Sequence, residues 1–145
     1  MATPQISIRA AELKDASDLV GLSSQLGQAV TVAAVERYLA RPPQPEHCLL
    51  VATLAGRAVG WLEAEPRATL PSGRWAEVTG FVVEEVLRGQ GVGSTLLRSA
   101  RAWAKGLGLT RMRVRTRVER AQAAHFYEKE GFRLQKQQRV YELEP

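Results

Sequence analysis

The stretch Arg88-Gly89-Gln90-Gly91-Val92-Gly93 stands directly before a long amphipathic helical pattern, and it constrains this chain more than any other segment. Glycine has no Cβ, so the backbone of such a loop can close on an anion and turn its N–H groups toward it. The free N–H groups and positive dipole end of the following helix add to that attraction. Several donors converge, which suits a polyphosphate better than a carboxylate. The plainer alternative is a helix cap with flexible glycines. Two familiar glycine motifs are excluded. A Walker A loop needs Gly-Lys-Ser/Thr at its end, and none is present. A dinucleotide fingerprint needs Gly or Ala where Ser94 stands, and an acidic residue about 20 positions on, where Arg111 and Arg113 stand.

The pattern around the loop predicts a mixed fold. Ile6–Arg9 alternates as a short strand. Leu13, Ala16, Leu19, Leu22 and Leu26 recur at helical spacing up to Gly27. Thr31 suits the cap of a second helix carrying Val32, Val35 and Leu39, ended by Pro42, Pro43 and Pro45. His47–Leu54 and Arg57–Glu65 read as a hairpin across Ala55-Gly56. Pro66–Gly73 reads as a loop, and Arg74–Val83 as the third strand of the meander, with Gly80 marking a bulge. The helix after the loop buries Val92, Leu96, Leu97, Ala100, Trp103, Ala104 and Leu107. Thr110–Val118 alternates as a strand, Glu119–Glu130 as a helix stopped by Gly131, and Phe132–Leu134 with Arg139–Leu143 as closing strands. The order is β-α-α-β-β-β-α-β-α-β-β, an α/β (α+β) fold. It comprises a mixed, mostly antiparallel sheet of about seven strands flanked by about four helices.

The chain has 145 residues, which predicts one domain over 1–145. One cysteine, Cys48, excludes an internal disulfide, and with only His47 and His125 besides, no metal is expected. Cys48 reads as a small core residue rather than a nucleophile. Apolar runs fall far short of the ~20 residues of a membrane span. The N-terminus lacks a signal-peptide pattern, so the expectation is a cytoplasmic protein with no membrane partner. The net charge of +5 raises nucleic acid as a partner, but the basic residues are spread out and no binding motif accompanies them.

Two motifs carry a family resemblance. Arg88-x-x-Gly91-x-Gly93 matches the Q/R-x-x-G-x-G/A acetyl-CoA signature of the GNAT superfamily of N-acetyltransferases, and Phe81-Val82-Val83 looks like that family's strand four. Ala123-Ala124-His125-Phe126-Tyr127-Glu128-Lys129-Glu130-Gly131-Phe132 resembles its second motif. The motifs stand in order across a crossover helix, and with the element order they cover essentially the whole chain. The resemblance implies a GNAT fold and acetyl-CoA as cosubstrate. The pyrophosphate would lie on Arg88, Gly89, Gln90, Gly91, Val92, Gly93 and Ser94, and the pantetheine along Phe81, Val82 and Val83. Strands four and five would splay apart to admit it. Tyr127 matches the tyrosine that protonates the departing thiolate in many members. Arg120 stands where the family often has an asparagine contacting the pantetheine. Many members are dimers, so a homodimer is a candidate assembly.

The implied reaction is attack of a primary amine on a thioester. The acceptor would be a small or aminoglycoside-like amine, a polyamine or a protein amine. The alternative is a non-catalytic acyl-CoA sensor or interaction module on the same fold. An amine of pKa about 10.4 is almost wholly protonated at pH 7, so a base is useful. Glu77 is the candidate, eleven residues before Arg88, at a position resembling the glutamate of the histone-acetylating branch. Otherwise it is a solvated strand-end carboxylate. A phenol of pKa about 10 can serve as the acid at Tyr127, or else sit in the core beside Phe126. Trp61, Glu63 and Glu65 share a strand face, an arrangement suited to a cationic amine. Arg111, Arg113, Arg115 and Arg117 alternate as a stripe for a phosphate or acidic group, or as a half-solvated sheet face. His125 reads as a surface or supporting residue. The acceptor is expected between the 13–41 helices, the Pro66–Gly73 loop and the Lys136–Arg139 turn.

Overall fold

Each strand of the sheet takes its partner from the next strand in the chain, so the spatial order β1-β2-β3-β4-β5 is also the sequence order. The computed structural model describes residues 5–145. The strands are β1 (Ser7–Ala10), β2 (Cys48–Leu54), β3 (Arg57–Thr69), β4 (Gly73–Val83) and β5 (Met112–Val114). The helices are α1 (Ala16–Ser24), α2 (Val32–Leu39), α3 (Val92–Gly106) and α4 (Ala121–Lys129). The chain divides into two compact units, one ending at Val114 and one spanning Arg115–Pro145.

In the first unit β1 to β4 form an antiparallel meander, and β5 returns parallel to β4 after the α3 crossover. Ala55 and Gly56 both adopt positive φ (52° and 78°), which matches the right-handed twist of the β2–β3 hairpin. Thr31 Oγ1 accepts a hydrogen bond from the Ala34 N–H at 3.1 Å and caps α2. The α3 stripe buries Val92, Leu96, Leu97, Ala100 and Ala104, and Ala76 of β4 packs with Ala104 and Leu109. The other sheet face carries Val51 and Trp61 against Leu19, Val35 and Leu39 of α1 and α2.

The expected loop at Pro66–Gly73 is mostly strand. Pro66 pairs with Ala76 inside the β3–β4 ladder. Proline has no N–H to give, and here none is needed. The Ala76 N–H turns away to the Arg111 carbonyl at 2.9 Å, and the β2 ladder has already ended at Cys48–Ala64. The turn shrinks to Leu70–Ser72.

In the second unit α4 ends in a Schellman motif. Gly131 has φ 101°, its N–H donates to the Glu128 carbonyl at 3.1 Å, and the Phe132 N–H donates to the Tyr127 carbonyl at 2.9 Å. The two expected closing strands, Phe132–Leu134 and Arg139–Leu143, do not form, so the sheet has five strands rather than about seven among the described residues. An alternating pattern becomes a strand only where a neighbour takes its hydrogen bonds and covers its apolar face. Leu134, Val140, Tyr141 and Leu143 have no such cover and are 75%, 93%, 82% and 84% exposed. The Thr110–Val118 strand is likewise cut to Met112–Val114.

Candidate functional site

The β3–β4 register slips at one place: Ala64 faces Val78, while Glu63 faces Gly80. Thr79 is therefore the extra residue of a bulge, beside the glycine expected to mark it. The bulge changes which way the backbone of β4 points. Below it, the Ala76 N–H faces β5. Above it, the Glu84 N–H donates to Val59 of β3 at 2.9 Å. Without an inserted residue these two even-numbered positions would face the same edge. With it, Phe81 and Val83 turn their N–H and C=O toward the β5 edge instead. There, β5 has already stopped. Its parallel ladder covers only Ala76–Val78, and no strand among the described residues pairs with 79–83 on that side.

The loop after β4 closes on this edge. Arg88 Nε donates to the Val83 carbonyl at 3.2 Å. Gly89 and Gly91 have φ of 81° and 90°, a region that costs any residue with a Cβ. Gly91 is the N-cap of α3, where no side chain caps the helix and no acidic residue lies in the first turn. The N–H groups of Val92 and Gly93 and the positive dipole end thus face an anion placed there. These features fit a pyrophosphate followed by a chain that extends along β4.

Glu77 is buried, only 2% exposed, so the solvated strand-end alternative does not hold. Trp75 Nε1–H donates to its Oε1 at 2.8 Å, and Arg67 lies 3.7 Å from its Oε2. It sits opposite Glu65 on β3 and Arg113 on β5, below the bulge. Glu63 lies directly across from Gly80. Its Oε2 receives the Tyr38 hydroxyl and lies 2.5 Å from His47 Nε2. Tyr38 is held by Arg41, whose guanidinium lies 3.6 Å from its ring centroid. Burial first, then the hydrogen bond to Glu63, raises the Tyr38 phenol above its usual pKa. Neither Tyr38 nor His47 was recognisable as part of this group from sequence, because they lie 25 and 16 residues from Glu63. The shared face of Trp61, Glu63 and Glu65 was the available signal. An open depression of about 470 Å³ borders the group, lined by Glu46, His47, Glu65, Pro66, Arg67 and Arg74 among others.

Trp61 packs over Gly80: a Cβ there would fall under 3.0 Å from the indole ring. The Trp61 Nε1–H is buried and has no hydrogen-bond partner among the described residues.

In the second unit, Tyr127 contacts Phe126 and Phe132 edge-on, at centroid distances of 5.5 and 5.6 Å. Burial raises its phenol above the ordinary value, and the charge of Arg120 at the α4 N-cap pulls the other way. The phenol is therefore protonated at neutral pH. His125 is exposed. The arginine stripe is not one strand face, since β5 ends at Val114. Arg111 donates to the carbonyls of Ser72 and Arg74, Arg113 lies 4.5 Å from the Trp75 ring centroid, and Arg115 donates to Gln138 at 2.7 Å. Cys48 is buried, and its thiol is pushed up to about 11, by desolvation first and the Glu63 charge second. It is a core residue. Among the described residues no helix is long and apolar enough to cross a membrane.

Residues 22–132 match the model of the acetyltransferase (GNAT) family. No curated protein matches the chain. Among solved structures, the aminoglycoside N-acetyltransferase AAC(6')-Iy in complex with CoA is similar at a TM-score of 0.83 and 20% identity, over 98% of this chain and 97% of that one. The aminoglycoside 6'-N-acetyltransferase AAC(6')-Ih from Acinetobacter baumannii is similar at 0.83 and 18%, over 97% and 99%. A protein described as a transcriptional regulator from Bacillus halodurans C-125 is similar at 0.82 and 24%, over 96% and 100%.

Proposed function

Given that the chain belongs to the acetyltransferase (GNAT) family, whose members use acetyl-CoA, we propose that it moves an acetyl group from acetyl-CoA to a primary amine of a small, polycationic acceptor of the aminoglycoside or polyamine class. The observation that carries the donor half is the uncapped glycine loop at the α3 N-terminus, contiguous with a β4 edge that β5 leaves at Val78. The acceptor half is supported by Glu63, which has no arginine or lysine partner among the described residues and meets the 470 Å³ depression through His47, and by the similarity to aminoglycoside N-acetyltransferases.

In this reading the 88–94 loop holds the pyrophosphate through the N–H groups at the start of α3, those of Arg88 and Gln90 being bonded within their own turn, and the β4 edge from Phe81 to Val83 holds the pantetheine as an added strand would be held. A donor from the β4 edge at the bulge faces the negative charge that develops on the thioester oxygen. Tyr127, protonated at neutral pH, gives its proton to the departing sulfur. Arg120, at the start of the same helix, serves the cofactor side. Glu77 is held below the bulge by Trp75 and Arg67 and supports the β4 backbone there. Transfer is direct, with no acyl-enzyme, since Cys48 is a buried thiol.

Incubation with acetyl-CoA, a panel of aminoglycosides, polyamines and lysine peptides, and a thiol reagent tests the reading. CoA release together with an acetyl group on one acceptor, detected by mass, is expected. Absence of CoA release with every amine of the panel would remove it. A second reading, an acyl-CoA sensor, is favoured by the similarity to the protein described as a transcriptional regulator. Tight CoA binding without turnover would select it.

A further inference from the structure

We propose that Glu63, held by Tyr38 and His47 across from the β4 bulge, is the carboxylate that receives the proton of the acceptor ammonium. This rests on the acetyl-transfer reading above and names a residue for it.

Four carboxylates gather on this part of the sheet, and three are held by arginine. Glu46 pairs with Arg74 at 2.9 Å, Glu65 with Arg67 at 3.1 Å, and Glu77 with Arg67 at 3.7 Å. Glu63 has no arginine or lysine partner among the described residues; its neighbours are a phenol and an imidazole. Both of those reach the same oxygen, Oε2. Among the described residues no hydrogen bond occupies Oε1, and the side chain is 16% exposed. Oε1 is therefore the oxygen left open to solvent and to an incoming cation, while Oε2 is held in place by the phenol and the imidazole. A buried polar atom without a partner among the described residues lies close by: the Nε1–H of Trp61, two residues along the same face and packed over Gly80.

The register sharpens the choice between Glu63 and Glu77. Glu77 lies where β4 and β5 are still paired, and both of its oxygens are engaged. Glu63 faces Gly80, at the point where the paired sheet gives way to the open edge. His47 joins it to the depression, whose lining it shares. Arginine-bound carboxylates can attract a cation only weakly, because their charge is already met. Glu63 keeps one oxygen for it.

The step balances. The ammonium passes one proton to Glu63 Oε1 and becomes the neutral nucleophile. The C–N bond forms and the C–S bond breaks. The nitrogen gives its second proton to solvent, from which the Tyr127 phenolate, having protonated the sulfur, takes one back. Glu63 releases its proton to solvent. Ammonium and thioester thus give amide, thiol and one proton.

The test compares Glu63→Gln with wild type on the acceptor found by the amine panel, with CoA affinity measured on both by calorimetry. A fall in kcat of about 100-fold or more is expected, the usual scale of a lost general base, with the CoA Kd changed less than about threefold. Glu63→Ala should regain turnover as formate is added, in a saturable way that a purely structural role would not produce. Should Glu63→Gln fail to fold, Glu63→Asp keeps the charge and is expected to retain CoA binding and part of the turnover. Variants that turn over like wild type would overturn the assignment while leaving acetyl transfer intact. A wild-type protein that acetylates no amine would overturn both.

Discussion

The indole of Trp61 occupies the space above Gly80 that a side chain would need. The two residues lie on neighbouring strands, and Gly80 is the upper residue of the bulge. Gly80→Ala should therefore destabilise the fold by about 1–3 kcal/mol, the range for overpacking a filled site. Trp61→Ala empties that space, so the double variant should be more stable than the sum of the single costs predicts. Denaturant unfolding of the three variants measures the coupling. Simple additivity would show that the contact carries no energy.

The pair Arg9–Asp15 gives a pH prediction. Arg9 Nη1 and Nη2 each donate to the carboxylate at 2.8 Å, and the Glu12 N–H adds a third bond at 2.7 Å. These hold Asp15 below its usual pKa, with the Arg9 hydrogen bond the largest cause. A depressed folded pKa means stability that is present above the unfolded value, about 3.9, and lost as pH falls through the folded one. Asp15→Asn should cost about 2 kcal/mol at pH 7. The gap in Tm between variant and wild type should narrow below about pH 4. A gap independent of pH would contradict the pairing.

Gly91 adopts φ of 90° and caps α3 without a side chain. Gly91→Ala places a Cβ in the left-handed region, at a cost of roughly 1–2 kcal/mol. The loop should relax and CoA affinity should fall about tenfold, read by calorimetry. Helix α3 itself should persist by circular dichroism.

Tyr127 is raised by burial. The activity of the wild type should therefore show no alkaline loss from this group until above about pH 10. Tyr127→Phe should lower kcat by about tenfold or more while leaving the CoA Kd within about threefold. An unchanged kcat at saturating acceptor would remove Tyr127 as the acid.

Cys48, with its thiol near 11 and 4% exposed, should resist modification. A disulfide reagent at pH 8 should titrate no thiol in the native protein and one after denaturation. Rapid native labelling would show that β2 opens.

The loop, the α3 stripe and the bulge were legible because each rests on local rules. Glycine at 89 and 91 answers a backbone demand, and a 3.6-residue stripe answers one buried face. The closing segments differ from their pattern for the opposite reason. Alternation at Arg139–Leu143 is a local pattern, but a strand needs a partner, and pattern cannot supply one. Pro66 misled similarly, since only the register shows that its missing N–H faces no acceptor. Glu63 was visible as one carboxylate on a strand face. Its tie to Tyr38 and His47 is long-range and carries no spacing that a sequence reveals.

The turn of Phe81 and Val83 toward the open edge has a consequence for how such a protein can change. An extended ligand held there by main-chain groups makes little demand on the identities of the side chains above them. The neighbouring positions on β3 and α2 are then at liberty to drift. On the proposed reading, a new acceptor could be acquired by substitutions around the Tyr38, His47 and Glu63 group, with the carboxylate itself kept, while the donor grip is inherited intact. Evolution, or a protein engineer, can treat the two halves of the reaction as separately adjustable parts.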